Sequence, residues 1–347
     1  MALLMMEGFD YYGVVADFAS RWTCSTTTDT QLVTGRFGVG TGKALDMRRV
    51  STQGDARRSF GAVKDELVVG FGFKVTTFAN GDKSILYLYN DAGVTIQCAL
   101  AFNASGQLQV YRGNSGTGTV LATSTLAIST NTWHYIEMKI KIADSGGYAI
   151  VRVDDVEFIN ATSLDTKPSA VTGADQLLVY AMNSGTGSKY YDDIYVCDLT
   201  GTMNNDFLGQ CRIKYVPPTG DGALQEWDPS AGAGWECVDD SAPDGDATYV
   251  LSDSAGDISL FTCDGIAVDD VVLGIDVLAM VKKDDAPERT MQMVIRPDVT
   301  DYNGSTTHSL TTGYKYYGQM WETNPETAAQ WTPAEIADLQ FGMELIT

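Results

Sequence analysis

The sequence predicts an all-β chain of two domains, and three observations carry that expectation. Short runs rich in Val, Ile, Thr and Tyr alternate apolar with polar residues, turn residues separate them roughly every 8–15 positions, and no long helical period lies between them. Such spacing favours antiparallel strands stacked as sandwiches over βαβ units. A length of 347 residues exceeds one ordinary sandwich and suits two domains.

The clearest stretch is Asn131–Asn160. His134, Ile136, Met138, Ile140 and Ile142 share one parity, while Tyr135, Glu137, Lys139 and Lys141 take the other. Successive strand side chains point to opposite faces, so this reads as a strand with a buried face and a wet outer face. Asp144–Gly147 supplies turn chemistry, Tyr148–Val153 returns, and Val156–Ile159 completes a meander. Before it, Gly35–Met47 is a glycine-rich turn entering a strand. Leu67–Thr77 is strongly β, with Gly70 and Gly72 leaving space on one face. Ile85–Tyr89 and Val94–Phe102 flank the turn Asn90–Gly93 as a hairpin, Leu108–Arg112 pairs next, and Val120–Ala127 follows. After the meander come Asp175–Met182 and Lys189–Cys197. A further strand is expected at Leu208–Val216, ended by Pro217–Pro218, and a hairpin of Val271–Lys282 with Thr290–Arg296. Tyr314–Glu322 reads as a strand. Thr332–Leu339 reads as a helix, with Thr332 as N-cap, Pro333 at the first position and Glu335 at the third, and Phe341–Ile346 closes the domain.

Charge marks a change of texture. Residues 1–200 hold 16 basic and 20 acidic side chains, whereas 201–347 hold 7 and 25, out of a net −22. The boundary is therefore set near residue 200, with a sandwich over 1–200 and an acidic β-rich domain with one short helix over 201–347. So acidic a chain is expected to bind neither nucleic acid nor an anionic membrane. No apolar run approaches the roughly 20 residues that span a bilayer, and the start lacks the basic region of a secretory signal. The six cysteines form no CxxC pair and read as buried thiols rather than a disulfide or metal framework.

Several motifs invite chemistry. Gly38–Ala44 (GVGTGKA) fails as a phosphate loop, because Phe37 stands where the first glycine belongs and Ala44 where a Mg²⁺-binding hydroxyl is needed. Asp155 and Glu157 have the spacing of a glycosidase pair but flank a turn, and Asp192 and Asp193, being adjacent, are expected on opposite faces. Both pairs read as structural acids. Asp239, Asp240, Asp244 and Asp246 could present oxygens to Ca²⁺, against a default of a solvated loop. Trp22, Trp133 and the pairs Tyr11–Tyr12, Tyr190–Tyr191 and Tyr316–Tyr317 could stack on sugar rings or simply fill core and surface. Tyr191, Tyr316 and Trp235 are the named candidates for glycan contact.

Taken together, EGFDYY, GRFG with GKAL, NTWHYIEMKIKI with VRVDDVEF, and YYDDIYVCD resemble a family of tailed-bacteriophage virion proteins. That family carries a concanavalin-like, laminin-G-like jelly roll. NDFLGQCRIKYVPPTGDG and NPETAAQWTPAEIADLQFGMEL are similar to its second region, so the likeness spans nearly the whole chain. It implies that residues 1–200 form a concanavalin-like jelly roll in a tail, fibre or capsid-attached component of a virion assembled in the host cytoplasm. No catalytic residues transfer with it. The expectation is a non-enzymatic structural protein with no required cofactor, self-associating (as a trimer, if a fibre) and docking on other virion proteins. The alternative is a carbohydrate-binding adhesion module that recognises a host surface glycan.

Overall fold

A computed structural model describes residues 2–40, 42–48, 54–78, 83–92, 94–182 and 187–347. Gly38–Ala44 and Asn90–Gly93 each include a position outside the described residues. The chain is all-β, with antiparallel sheets forming sandwich-like units. It divides into two compact units, Met1–Asp10 with Trp22–Lys214, and Tyr11–Arg21 with Tyr215–Thr347. Among the described residues no helix is long and apolar enough to cross a membrane.

The first unit stacks two sheets. Sheet I runs Val156–Leu164, Gly147–Val153, His134–Lys141, Glu66–Val75, Ser188–Asp198, Lys43–Arg48, Thr30–Thr34, with Leu3–Glu7 added along Ser188–Asp198. Sheet II runs Thr119–Ala127, Gln107–Arg112, Thr95–Phe102, Ser84–Asn90, Ala174–Tyr180, Asp55–Lys64, Thr23–Cys24. The expected meander and the hairpin of residues 84–90 with 95–102 both form, because alternation sends Ile136, Met138 and Ile140 inward from sheet I and Leu86, Leu88 and Leu100 inward from sheet II. Side chains bridge the layers: Phe73 and Phe102 rings lie 6.5 Å apart, and the Tyr191 hydroxyl donates to the Ile85 carbonyl at 2.7 Å.

The outer face of sheet I departs from the sequence reading. Tyr135 and Glu137 were expected in water, yet each is 2% exposed. Residues 204–214 cross this face as an extended strap. A Glu137 carboxylate oxygen accepts from the backbone N–H groups of Leu208 (3.0 Å) and Gly209 (2.9 Å) and from the Tyr195 hydroxyl. Arg36 donates to the Asp193 carboxylate at 3.0 Å and to the Cys211 carbonyl at 2.5 Å, while the Ile213 N–H donates to Asp193 at 2.8 Å. Backbone groups at 208–213 thus satisfy buried side chains rather than a sheet ladder, and for that reason the strand expected at Leu208–Val216 does not form. The acidic imbalance begins near residue 200, whereas the units divide at Lys214 and Tyr215, because these hydrogen bonds hold the strap to sheet I.

Asp192 and Asp193 are another correction. They do not point to opposite faces: Asp192 accepts from the Arg36 N–H at 2.7 Å and Asp193 from the Arg36 side chain. A bulge between Asp192 and Tyr195, with Asp193 at φ +48°, turns both carboxyls toward Arg36.

The second unit is built around Gly220–Gln225, Ile258–Thr262, Gln340–Leu345, Thr290–Arg296 and Tyr302–Asn303, with His308–Ser309 also on Thr290–Arg296. Its core gathers Met291, Met293, Ile295, Trp331 and Ile336. The expected hairpin is not made. Ile275–Val281 pairs with Lys315–Trp321, and Thr290–Arg296 pairs instead with Gln340–Leu345, which buries Met291 and Met293 completely. The helix Pro333–Asp338 carries the expected capping box. A second helix, Val15–Arg21, also belongs to this unit, its start tied by Gly13 and Val14 N–H groups donating to Asp17 at 2.9 Å. With seven residues and one buried side chain, Phe18, it shows too little periodicity to be read in advance.

Candidate functional site

Alternation on sheet II places a second set of side chains outward. Register sets Val120, Tyr111, Ala99, Tyr87, Leu178 and Arg57 in one row across six strands. A neighbouring row holds Ile96, Tyr89, Gln176 and Ser59, and another holds Thr123, Gln109 and Ala101. Tyr87, Ala99 and Leu178 form a buried floor at 1%, 0% and 5% exposure, with Ile96, Tyr111 and Tyr180 packed half-buried around it. This cluster is distinct from the inner core, since the inward parity of the same strands belongs to Leu86, Leu88, Leu100, Val110 and Leu177.

Small residues at the middle of the face let the rings crowd in. Ala99 and Ala101 leave room that larger side chains would fill. Tyr87 and Tyr180 meet edge to face at 5.1 Å, a favoured arrangement for the ring quadrupoles. The Tyr87 hydroxyl shares hydrogen bonds with Ser84 (2.5 Å) and Ser115 (2.8 Å), and the Tyr111 hydroxyl donates to Gln109 at 3.0 Å. Burial raises the Tyr111 pKa, so its hydroxyl stays protonated and able to donate. Arg57 lies over Tyr89 at 5.8 Å and pairs with Asp91 at 3.8 Å. Gln176 differs from its neighbours: its side-chain oxygen is buried and accepts no hydrogen bond from any described residue. The face combines ring surfaces with uncharged donors and acceptors, which suits a flat ligand with an apolar face and hydroxyl edges.

The residues singled out from sequence lie elsewhere. Tyr191 is fully buried between the sheets, and Tyr316 is 7% exposed against the Tyr11 and Tyr12 rings at 5.3 and 5.4 Å, so neither presents a ring to solvent. Trp235 is half-buried in a cluster with Trp227 and Phe261, its backbone N–H donating to Asp221 at 2.7 Å. Trp22 is buried with its ring N–H on Glu7 at 2.9 Å. Trp133 and Tyr190 face outward on sheet I but clasp the Lys74 ammonium at 4.8 and 4.2 Å, so their rings already serve a cation of the chain.

The acidic loop does not converge. Asp246 accepts from Lys282 at 2.5 Å and Tyr314 at 2.8 Å, which lowers its pKa, while Asp244 accepts from Thr248 at 2.8 Å. Burial first, then the charges of Asp244 and Asp239, raise Asp240. Among the described residues no group of three or more His, Cys, Asp or Glu is placed to hold a metal ion. Asp155 accepts from Gln210 at 3.0 Å and Glu157 from Asn160 at 3.1 Å, both as local turn and strap contacts.

A signal for the face was present in the sequence. Tyr87 and Tyr89 stand two apart in LYLYN, a spacing that puts both rings on one side of a strand. Their partners Tyr111 and Gln176 come from distant strands, which only the register brings together.

No protein-family model matches the chain, and no curated protein matches it. Solved structures do. A sialidase aligns at 11% identity and TM-score 0.41, covering 56% of this chain, which spans only 18% of the sialidase. A conserved carbohydrate esterase from Shiga toxin-encoding bacteriophage phi24B aligns at 17% identity and TM-score 0.39, covering 56% of this chain and 97% of its own. The carbohydrate-binding module CBM66 from Bacillus subtilis aligns at 12% and 0.35, covering 51% and 96%. At these identities and scores, what each of them binds or acts on stays with that protein.

Proposed function

We propose that the first unit binds carbohydrate, without turnover, through the outer face of sheet II. The observation that carries this reading is the placement of the half-buried rings of Tyr89, Tyr111 and Tyr180 on one face, over a buried floor of Tyr87 and Ala99, with Gln109 and Gln176 among them. A pyranose offers a C–H face to a ring and hydroxyls to planar amides, and this face offers the counterparts of both. The assembly role implied by the phage resemblance needs open sheet faces for docking. The strap at 204–214 already occupies part of the outer face of sheet I, and that favours the glycan reading over flat docking there.

Affinity electrophoresis in gels cast with soluble polysaccharides tests the proposal. The protein is expected to be retarded by at least one polysaccharide, and Tyr89→Ala and Tyr111→Ala to run free while still melting in one cooperative transition, Tyr111→Ala at a lower temperature because its ring packs on the buried floor. Equal retardation of both variants would remove the face from the account.

A further inference from the structure

We infer that this face selects an uncharged polysaccharide and that Gln176 is the residue that recognises its hydroxyls, an inference that rests on the carbohydrate-binding reading above. The polar groups on the face are neutral: Gln109, Gln176, Ser59, Thr123 and the tyrosine hydroxyls. The cation in its central row, Arg57, pairs with Asp91 at 3.8 Å and lies against Tyr89. Acids border the strand ends, with Asp55 opposite Tyr180, Asp175 beside Gln176, and the Asp91 N–H donating to Asp175 at 2.9 Å. A uronate or sialate carboxylate laid on this floor would lose water, find the Arg57 guanidinium already shared with Asp91 and face those acids. A neutral chain meets none of these costs.

Gln176 supplies the recognition. Its oxygen is buried without a partner among the described residues, between Tyr89 and Ser59 in its row. A buried acceptor left unpaired costs folding stability; closed to solvent as it is, this oxygen meets a ligand hydroxyl once the amide rotates to the surface, a movement that relieves that cost. The arrangement predicts opposite signs for two readouts of one substitution. Removing the acceptor should weaken binding while leaving the fold as stable or more so. A merely structural glutamine would lose stability on the same change.

The test measures the full chain by calorimetric titration against soluble neutral polysaccharides (a β-glucan, a xylan, a mannan) and acidic ones (alginate, polygalacturonate, polysialate). Gln176→Leu is the principal variant, with Gln176→Met as a second in case the branched side chain fits poorly. The expected result is binding to a neutral polymer, weakened about 2- to 12-fold by either variant, at an unchanged or higher melting temperature. Unchanged affinity in both variants overturns the role of Gln176. Binding of an acidic polymer as tight as any neutral one, and abolished by Tyr111→Ala, overturns the ligand class while keeping the face. If Tyr111→Ala leaves all binding intact, or no polymer of either class binds, the carbohydrate reading itself falls.

Discussion

Adding one methyl group at Gly70 should unsettle the first unit through Tyr195. A β-carbon at Gly70 would lie within the Tyr195 ring, 2.5 Å from Cζ and nearer still to Cε1, so the ring must leave. That ring is 2% exposed, and its hydroxyl donates to Glu137, which in turn holds the Leu208 and Gly209 N–H groups of the strap. Overpacking in a filled site costs about 1–3 kcal/mol. Losing one buried hydrogen bond adds about 1 kcal/mol. The sum of about 2–4 kcal/mol corresponds to a fall of about 4–16 °C in melting temperature for a unit of this size. Scanning calorimetry of full-length Gly70→Ala measures it, and a second cycle in a Tyr195→Ala background isolates the cause. With the ring gone the added methyl has room, so the penalty should shrink below about 0.5 kcal/mol. The same penalty in both backgrounds, or no shift in the first, would refute the steric argument.

Other expectations follow from named groups. Burial, then the adjacent Asp193, pushes the Asp192 carboxyl up to about 8, so the folded state holds its proton where the unfolded chain has released it. That contribution is full below the ordinary carboxylate range and is lost as pH rises toward 8. Urea midpoints of the parent should therefore fall between pH 5 and 9 more than those of Asp192→Asn, and parallel curves would count against the coupling. Thr332→Ala removes a hydroxyl that accepts from the Glu335 N–H at 3.3 Å and should cost about 1 kcal/mol in urea unfolding, with no change in polysaccharide binding. Arg36→Met removes the donor to the Cys211 carbonyl and leaves the Asp193 carboxyl with the Ile213 N–H, so trypsin should cut at Arg212 or Lys214 faster than in the parent; an unchanged digestion rate would show that the strap is held by other contacts.

Much of the strand set was legible because alternation of greasy and wet residues is local. The meander at 131–160 and the capped helix at Thr332 follow from residues a few positions apart. Long-range pairing was less legible. Val271–Lys282 lies nearest in sequence to Thr290–Arg296, but the strand it joins, Lys315–Trp321, is some forty residues on. Parity also could not show what covers a face: Tyr135 and Glu137 alternate as solvent-facing residues should, yet Arg36 lies over the Tyr135 ring at 4.8 Å and the strap at 204–214 closes on Glu137. Nor could it separate the members of a tyrosine pair. Tyr190 faces outward and Tyr191 inward, and the candidate face draws on single tyrosines two apart or far apart. The preference for neighbouring aromatics led away from Tyr87 and Tyr89.

The inserted residue near Asp193 has a consequence for how this strand can change over time. Ahead of it Tyr191 belongs to the interior, and beyond it Tyr195 belongs to the opposite surface, resting on Gly70. Deleting a single position there would set Asp192 and Tyr195 two apart, as Gly72 and Gly70 are, so Tyr195 would keep its partner and its face while the kink that brings the Asp193 carboxyl to Arg36 and Ile213 disappeared. Loop lengths around the sandwich can drift, while the one extra position in this strand is held by the contacts that Asp193 makes with Arg36 and the strap.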